Sequence, residues 1–230
     1  MKSIVIVPTY NEKENIAEIV PAILEKAPDV HILVVDDNSP DGTAQVVHQL
    51  MIQYKNLHIL SRAGKEGLGK AYLAGFQWAL SRGYEFIIEM DADFSHRPED
   101  LVNILEAGKT NDYVIGSRYT PGGGVLNWSL GRKIISRGGS LYSRMVLGFP
   151  IGDWTGGFNG WQAKVLEAID LPTIRSNGYS FQIELKYKAA KKGFKFKEVP
   201  IQFADRKAGQ SKMSGKIVVE AFYRVWQIRF

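Results

Sequence analysis

Short apolar runs alternate with helix-like segments along the first half of the chain. The apolar runs predict five buried strands, at residues 4–7, 32–35, 57–60, 86–90 and 113–115. Apolar residues at three- and four-residue spacing predict helices around 16–24 and 68–79, and Pro98, followed by two acidic residues, opens another. This alternation is typical of βαβ units. The sequence therefore predicts an α/β fold with a mainly parallel central sheet and helices on both faces.

The second half has a different texture, with glycine-rich loops around fewer regular segments. The predicted elements are helices near 130–147 and 180–191, a strand over 195–203, and an amphipathic helix over 213–230 with Val218, Phe222, Val225 and Trp226 on one face. No repeat, low-complexity tract or linker divides the chain. We therefore expect one domain over residues 1–230.

Composition and charge narrow the class of protein. The chain has 230 residues and no cysteine, which excludes disulfides and thiolate metal sites. No signal peptide is expected, because residues 1–2 run directly into the strand-like segment 3–8, and the sequence contains no run of about 18 apolar residues, which a membrane span needs. Residues 1–115 carry 10 Lys/Arg and 17 Asp/Glu, whereas residues 116–230 carry 19 and 7. Most of these charges are expected on solvated faces, but an acidic half beside a basic half suits an enzyme that holds a metal at one end and anions at the other.

Two carboxylates follow the predicted strand at 86–90. On an extended chain, Asp91 and Asp93 would point to one side and Ala92 to the other. The carboxyl ends of strands in an open α/β sheet are where ligands bind, and hard oxygen ligands suit Mg²⁺ or Mn²⁺. The alternative is that these acids only end a strand or cap the next helix.

Polar residues end two other strands in the same way. Asp36 and Asp37 follow the second strand, and the segment 8–12 follows the first. Asn11, with Glu14 three residues later, resembles a capping box. Capping explains a single acid well, but it explains four acids at one edge poorly, so we expect a nucleotide-binding edge here.

The segment 64–71 resembles a phosphate-binding P-loop. Its last position is Ala71, where a P-loop has the Ser or Thr that binds Mg²⁺. A nucleotide hydrolase of that class is therefore not expected, although a glycine-rich turn before a helix can lie near a diphosphate.

The basic half supplies candidate ligands for anions. They are Arg118, Arg132, Lys133, Arg137, Arg206, Lys207 and Lys212. Arg132 and Arg137 stand among serines and glycines, where the backbone can approach a phosphate closely. Most lysines of 186–197 are expected on a solvated face.

These residues together resemble family 2 glycosyltransferases. The motifs are 8–12, 36–37, 91–96, 116–119, 131–139 and 153–158, in the family's order. The stretches 177–182 and 203–212 are more specific and resemble dolichyl-phosphate (polyprenol-phosphate) mannose synthases. The resemblance spans nearly the whole chain. Asn159 departs from it, because a basic residue usually follows Gly157 and Phe158 in this family.

The resemblance implies a GT-A fold with a Rossmann-like N-terminal half. Residues 1–117 would form the nucleotide- and metal-binding half, and residues 118–230 the acceptor-binding half with its amphipathic C-terminal helix. The implied nucleotide-binding residues are Pro8, Tyr10, Glu12, Asp37 and Asp91, and the implied metal ligands are Asp91 and Asp93. The residues implied to face acceptor and phosphate are Arg118, Arg132, Ser136, Arg206 and Lys212, with Asp93 and Arg118 catalytic.

The implied activity is inverting transfer of mannose from GDP-mannose to a dolichyl or polyprenyl phosphate, with Mg²⁺ or Mn²⁺. An acceptor phosphate is already a nucleophile near neutral pH, so no protein general base is required. The expected location is cytoplasmic and peripheral, on the cytoplasmic face of a membrane, with a small membrane subunit as a further partner and no nucleic acid. Two alternatives stay open: a polyprenyl-phosphate transferase that uses UDP-glucose or UDP-N-acetylglucosamine, and a non-enzymatic nucleotide- or membrane-binding module.

Overall fold

A seven-stranded sheet forms the centre of the computed structural model, which describes residues 1–176, 178–204 and 215–230. Its strands, in chain order, are β1 (Ser3–Thr9), β2 (His31–Asp36), β3 (Leu57–Ser61), β4 (Phe86–Glu89), β5 (Tyr113–Ser117), β7 (Asn159–Gln162) and β8 (Phe196–Pro200). The spatial order is β3-β2-β1-β4-β7-β5-β8, and every neighbouring pair is parallel except those that involve β7. The expected mainly parallel sheet is thus confirmed.

Helices cover both faces of this sheet, as expected. They are α1 (Lys13–Lys26), α2 (Thr43–Gln53), α3 (Leu68–Leu80), α4 (Pro98–Gly108), α5 (Leu130–Leu147), α6 (Ala163–Ala168), α7 (Tyr179–Lys191) and α8 (Gly215–Arg229). Alternate residues of a strand point to opposite faces of the sheet. Val5 and Val7 of β1 pack in the cluster formed with α1, α2 and α4. Ile4 and Ile6 pack in the other cluster, which includes residues of α3, α6 and α7. The period of two along each strand therefore builds two cores from one sheet.

Several elements differ from the sequence prediction. The predicted strand at 195–203 divides into β8 and a short β9 (Gln202–Phe203), which pairs with β6 (Gly124–Val125) in a separate small sheet. The chain leaves the main sheet at Ile201, whose N–H donates to the Ser117 carbonyl at 3.1 Å. Helices α2 and α6, the short strand β6 and the antiparallel strand β7 were not predicted. Strand β7 contains a glycine and two amides, and its place between β4 and β5 is set by tertiary pairing.

The predicted C-terminal helix is present, and the part of its apolar face that the structure describes is only partly buried. Val225 is buried, but Phe222 and Trp226 are about half exposed (51% and 48%). None of the helices in the described part of the chain is long and apolar enough to cross a membrane.

Candidate active site

The carboxyl ends of β1, β2 and β4 meet at one edge, because these strands are neighbours in the sheet. Asp36 ties two of them together: its carboxylate accepts from Thr9 Oγ1 at 2.9 Å and from Ser39 Oγ at 2.6 Å. The Asp37 N–H also donates to the Thr9 carbonyl. Asp36 is therefore a structural link, and Asp37, the residue implied to bind nucleotide, lies beside it.

The glycine-rich segment before α3 lies at this same edge. Arg62 donates to Asp37 Oδ1 at 2.6 Å, and the ammonium of Lys65 lies 4.0 Å from the ring centre of Tyr10. Burial raises the pKa of Asp37, against the opposing effect of the Arg62 guanidinium. A side chain at Gly69 would come within 3.0 Å of the Phe181 ring, so this glycine serves packing against α7. Packing against α7 therefore explains Gly69, one of the glycines that make this segment resemble a P-loop.

The predicted capping box at Asn11 is wrong. Asn11 has a φ of 60°, and α1 begins at Lys13 without a side-chain cap from Glu12. Asp41, in the loop after β2, takes this role by accepting from the Lys13 N–H at 3.1 Å. Glu12 Oε2 accepts from Asn15 at 2.7 Å, and Glu12 stands half-buried at the edge where the sequence placed it.

Asp91 and Asp93 stand in a turn after β4. The strand ends at Glu89 and residues 92–93 form the turn, so the extended alternation expected for the pair is wrong. Asp93 is 6% exposed, and its Oδ1 accepts from the Ser95 N–H at 3.0 Å. Tyr72 Oη, on α3, donates to Asp91 Oδ1 at 3.3 Å. The turn still holds both carboxylates at the carboxyl edge.

This donor set fits Mg²⁺ or Mn²⁺. In the described part of the chain no three acidic or histidine side chains cluster as a protein-only metal site. Mg²⁺ is commonly held by one or two carboxylates together with substrate phosphates and water. Asp91 and Asp93 match that pattern, with hard oxygen donors and no sulfur or imidazole.

His96 is held in a structural role behind this turn. Its Nδ1 accepts from the Asp91 N–H at 3.0 Å, which leaves the proton on Nε2 in the neutral ring. The ring stacks on Phe158 with centres 4.8 Å apart, and burial lowers its pKa. The His96 ring also lies edge-on to Phe203, with centres 5.4 Å apart, and the Arg118 guanidinium lies 5.6 Å from the centre of the same Phe203 ring. The acidic turn and the Arg118–Asp153 pair are therefore neighbours.

Arg118 is fixed by a buried bidentate ion pair. Its Nε and Nη2 donate to the two Asp153 oxygens at 2.7 and 2.6 Å, and Nη2 also donates to Thr155 Oγ1 at 2.8 Å. Burial works to raise the pKa of Asp153, but the Arg118 charge outweighs it and holds this pKa at about 2. The pair stays ionised, so Arg118 presents a fixed charge at the carboxyl end of β5.

A basic cavity of about 180 Å³ opens beside Arg118. It is lined by Arg118, Tyr119, Gly124, Val125, Trp128, Lys133 and Arg137. Ser136 is buried at its side and accepts from Tyr119 Oη at 2.7 Å. The Arg132 guanidinium lies 3.9 Å from the Trp128 ring centre. Of the predicted acceptor-side residues, the structure brings Arg118, Arg132 and Ser136 together, whereas Arg206 and Lys212 lie outside the described residues.

Sequence reasoning missed a buried polar cluster behind this cavity. Lys186 was expected on a solvated face, but its side chain is fully buried on α7. Glu89 accepts from Trp161, Asn159 and Gln182 at 3.0, 3.1 and 2.8 Å. Burial raises the pKa of Glu89 to about 7, although these donors favour its charged form. Gln182 and Lys186 are four residues apart on α7, so helical spacing was the signal that they share a face.

Comparisons with known proteins agree on a family. The profile of the family described as "Glycosyl transferase family 2" matches residues 4–170. A polyprenol monophosphomannose synthase of Mycolicibacterium smegmatis is 48% identical over 99% of this chain and 88% of its own length. An undecaprenyl-phosphate mannosyltransferase of Micrococcus luteus is 47% identical over 98% of this chain and 93% of its own.

Solved structures share the fold at low sequence identity. Glucosyl-3-phosphoglycerate synthase from Mycobacterium tuberculosis, solved with Mn²⁺, UDP and glucosyl-3-phosphoglycerate, has a TM-score of 0.69 at 15% identity and covers 99% of this chain and 80% of its own. The mannosyltransferase PcManGT from Pyrobaculum calidifontis, solved with GDP-Man and Mn²⁺, has a TM-score of 0.60 at 19% identity, over 91% of this chain and 58% of its own. These likenesses confirm the GT-A fold.

Proposed function

The chain belongs to glycosyl transferase family 2, and from that membership we propose that it transfers mannose from GDP-mannose to a polyprenyl phosphate. The observation that carries the proposal is that the acidic turn lies beside the basic cavity: His96 in the turn and Arg118 in the cavity lining both lie against the Phe203 ring, at 5.4 and 5.6 Å from its centre. The turn suits a metal-bound diphosphate, and the cavity suits a second phosphate. The two nearly full-length relatives, with 48% and 47% identity, are named for mannosyl transfer to polyprenyl phosphates.

The donor binds at the edge formed by β1, β2 and β4. Asp37, held by Arg62, accepts hydrogen bonds from the base or ribose, and Tyr10, with Lys65 against its ring, borders the same space. Pro8 near the end of β1 and Glu12 just before α1 border this donor-binding space as well. Asp91 and Asp93 would hold a divalent cation, and that cation would supply charge neutralisation for the departing diphosphate. The chain's own residues orient the sugar toward the cavity.

The acceptor phosphate binds in the basic cavity. Lys133 and Arg137 lie four residues apart on α5 and both line it, opposite Arg118. A phosphate monoester oxygen attacks C1 of mannose while the bond from C1 to the GDP oxygen breaks, and the electron pair leaves with GDP. One displacement inverts the configuration at C1. Arg118, fixed by Asp153, stabilises negative charge between donor and acceptor without having to reorganise.

The proposed acceptor has a polyprenyl tail that resides in a membrane, so the protein would act at a membrane surface. Helix α5 exposes Leu130, Ile134, Leu141 and Met145, and Trp226 on α8 and Phe230 directly after α8 are exposed as well. Tyr142 and Phe222 stack between these helices with ring centres 4.2 Å apart. This apolar surface adjoins the basic side chains that line the cavity, as interfacial helices require. We propose that it rests on the leaflet that holds the acceptor, on the cytoplasmic face, directly or through a small membrane subunit.

A transfer assay tests the proposed function. Purified protein is incubated with labelled GDP-mannose, a polyprenyl phosphate and Mg²⁺ or Mn²⁺, and label is counted in the organic phase. We expect metal-dependent label transfer, with a β-linked mannose identified by NMR. Parallel reactions use UDP-glucose and UDP-N-acetylglucosamine. Transfer from a UDP-sugar alone would establish the alternative donor class, and nucleotide binding without any transfer would establish a binding module.

A further inference from the structure

The ammonium of Lys186 is buried against backbone carbonyls of the loop that holds Asp153. Its Nζ donates to the carbonyl oxygens of Asp153 and Gly156 at 2.8 Å and approaches that of Trp154 at 3.3 Å. The side chain is fully buried. Burying an ammonium is costly, so its hydrogen bonds and neighbouring charges have to offset the loss of hydration.

The same loop is fixed from its other sides by carboxylates. Glu198 accepts from the N–H groups of Gly152 and Asp153 at 2.9 Å each. Asp153 Oδ1 accepts from the Gly156 N–H at 2.9 Å. Carboxylates thus hold the N–H groups of the loop and Lys186 holds its carbonyls. The position of the Asp153 carboxylate, and with it the direction of Arg118, depends on both.

The pocket around Asn159 is built for a cation. The Asn159 amide nitrogen faces Glu89 Oε2, Gly156 O and Gln182 Oε1 at 3.1, 3.1 and 2.8 Å. Its two hydrogens meet three acceptors, while Asn159 Oδ1 is buried with no partner among the described residues. An ammonium carries three donors and no acceptor, so it would match this shell better than an amide does.

Asn159 and Lys186 meet at a single acceptor. Both side chains donate to the Gly156 carbonyl, at 3.1 and 2.8 Å, from β7 and α7 respectively. A cation in the pocket around Asn159 would therefore donate from β7 to the same carbonyl that Lys186 reaches from α7.

We propose that Lys186 is a positioning residue for the transfer reaction, which supplies from α7 the buried cation that a basic side chain at position 159 would supply. Its target is the loop 153–156, through which it fixes Asp153 and hence Arg118. The inference rests on the proposed function, because Arg118 is placed there between donor and acceptor. Lys186 touches neither substrate.

Charge explains why a neutral donor is insufficient. The cluster contains the buried carboxylates of Glu89 and Asp153 and the cations of Arg118 and Lys186. Removing Lys186 leaves two buried carboxylates with one cation, and an uncompensated buried charge favours rearrangement of its surroundings. We expect the Asp153–Arg118 pair to be displaced by this rearrangement. A shift of about 1 Å in a positioning group can lower a rate about a hundredfold.

The test compares Lys186→Met with the relocated pair Asn159→Lys/Lys186→Met. We expect Lys186→Met to lower the turnover number by about ten- to a hundredfold, with GDP affinity changed by less than about twofold, because the donor edge is intact. The relocated pair should recover most of the lost rate. Lys191→Met, at an exposed position of the same helix, is the matched control and should behave as wild type.

A second readout does not depend on activity. The Nε–Hε NMR signal of Arg118, assigned through Arg118→Lys, should broaden or shift in Lys186→Met and return in the relocated pair. Should wild type transfer no mannose, the proposed function fails, whereas this signal still tests the positioning role. An unchanged turnover and signal in Lys186→Met would overturn the inference. So would a folded relocated pair that recovers neither.

Folding failure is also informative. If Lys186→Met does not fold, Lys186→Gln replaces it, since glutamine keeps a donor without the charge. A relocated pair that folds and transfers while both single variants do not supports the inference. If none of the three folds, Lys186 serves folding as a whole and the positioning role is wrong.

Discussion

Asp93 carries the metal assignment at the scale of a single residue. It is nearly buried beside Asp91 in the turn after β4, with one oxygen on the Ser95 N–H. Two carboxylates in one turn at the carboxyl edge suit a cation that is also bound by a diphosphate.

Asp93→Ala should reduce mannosyl transfer by about a thousandfold, because it removes charge stabilisation worth several kcal/mol. It should also abolish the Mn²⁺ dependence of GDP binding measured by calorimetry, while circular dichroism shows an intact fold. A chelator should mimic it in wild type. Asp29→Ala, at an exposed acid, is the control. Full activity in metal-free buffer would contradict the assignment.

His96 is the one histidine near the proposed chemistry, and its environment opposes a role as a base. Burial lowers its pKa, and its Nδ1 is occupied by the Asp91 N–H. If the acceptor phosphate attacks as its own anion, the acid limb of the rate should follow that phosphate's second pKa, near 6. An α-fluorinated phosphonate acceptor, which is more acidic, should move the limb to lower pH.

His96→Asn should leave this limb in place, although it lowers the plateau by disturbing the turn. The measurement is the transfer rate against pH for both acceptors and both proteins. If the acid limb of the transfer rate stays at the same pH with the phosphonate acceptor but shifts in His96→Asn, a protein group acts as the base.

At the scale of elements, α5 and α7 present charge in opposite ways. Helix α5 directs Lys133 and Arg137 into the open cavity, one turn apart. Helix α7 buries Lys186 against the loop at 153–156. Under the proposed function, α5 would bind the acceptor phosphate and α7 would fix the residues that meet it.

Arg137→Ala should raise the acceptor KM by about tenfold and leave the KM for GDP-mannose unchanged, since one charge-assisted contact to phosphate is lost. Arg132→Lys should also impair transfer, because lysine keeps the charge but loses the planar group that lies on Trp128. Arg144→Ala, at an exposed position near the end of α5, is the control. Unchanged acceptor kinetics in Arg137→Ala would make Arg137 a surface charge only.

Lys186 also predicts a pH dependence of stability. Burial lowers the pKa of Lys186 in the folded protein from 10.5 to about 8. The carboxylates of Asp153, Glu89 and Glu198 act to raise this pKa, and the Arg118 charge acts to lower it. The stability linked to this group is fully present above pH 10.5 and is lost as pH falls through about 8. The difference in unfolding free energy, wild type minus Lys186→Met, should therefore rise from pH 8 to 10.5 by at most roughly 3 kcal/mol. Urea unfolding measures it, and a constant difference would contradict the buried charge.

At the scale of the whole molecule, the sheet order assembles the site. Segments 8–12, 36–37 and 91–93 lie far apart in sequence, yet β2, β1 and β4 are neighbours and deliver them to one edge. Strands β7 and β8 continue the same sheet from the second half, with β5 between them. The basic cavity therefore stands next to the acidic edge, and the exposed apolar surface of α5 and α8 adjoins that cavity.

Leu141→Ser/Met145→Ser should weaken binding to vesicles that contain polyprenyl phosphate by about tenfold, since it removes apolar area exposed at 56% and 68%. Transfer to a short water-soluble polyprenyl phosphate should stay unchanged. Co-sedimentation measures the first quantity and the transfer assay the second. Ile52→Ser, 74% exposed on α2, is the control. Equal vesicle binding by both variants would place the membrane contact elsewhere.

The sequence by itself determined the βαβ half and the residues at its edge. Periodicities of two and of three to four are local properties, so β1 to β5, α1, α3 and α4 were predictable, and strand ends located Asp37, Asp91 and Asp93. Family motifs added the fold, the basic residues of α5 and the departure at Asn159.

Only the tertiary structure decided what the charged side chains contact. Strand β7 and the split of 195–203 depend on pairing partners distant in sequence, which no local period encodes. Asp41 replaced Asn11 as a cap because a neighbouring loop reaches α1. Lys186 belongs to a residue type that is usually exposed, but it is surrounded by carbonyls of the loop at 153–156 and by the carboxylates of Asp153, Glu89 on β4 and Glu198 on β8. Burial of a charge is a property of its partners, and those partners meet only when the chain has folded.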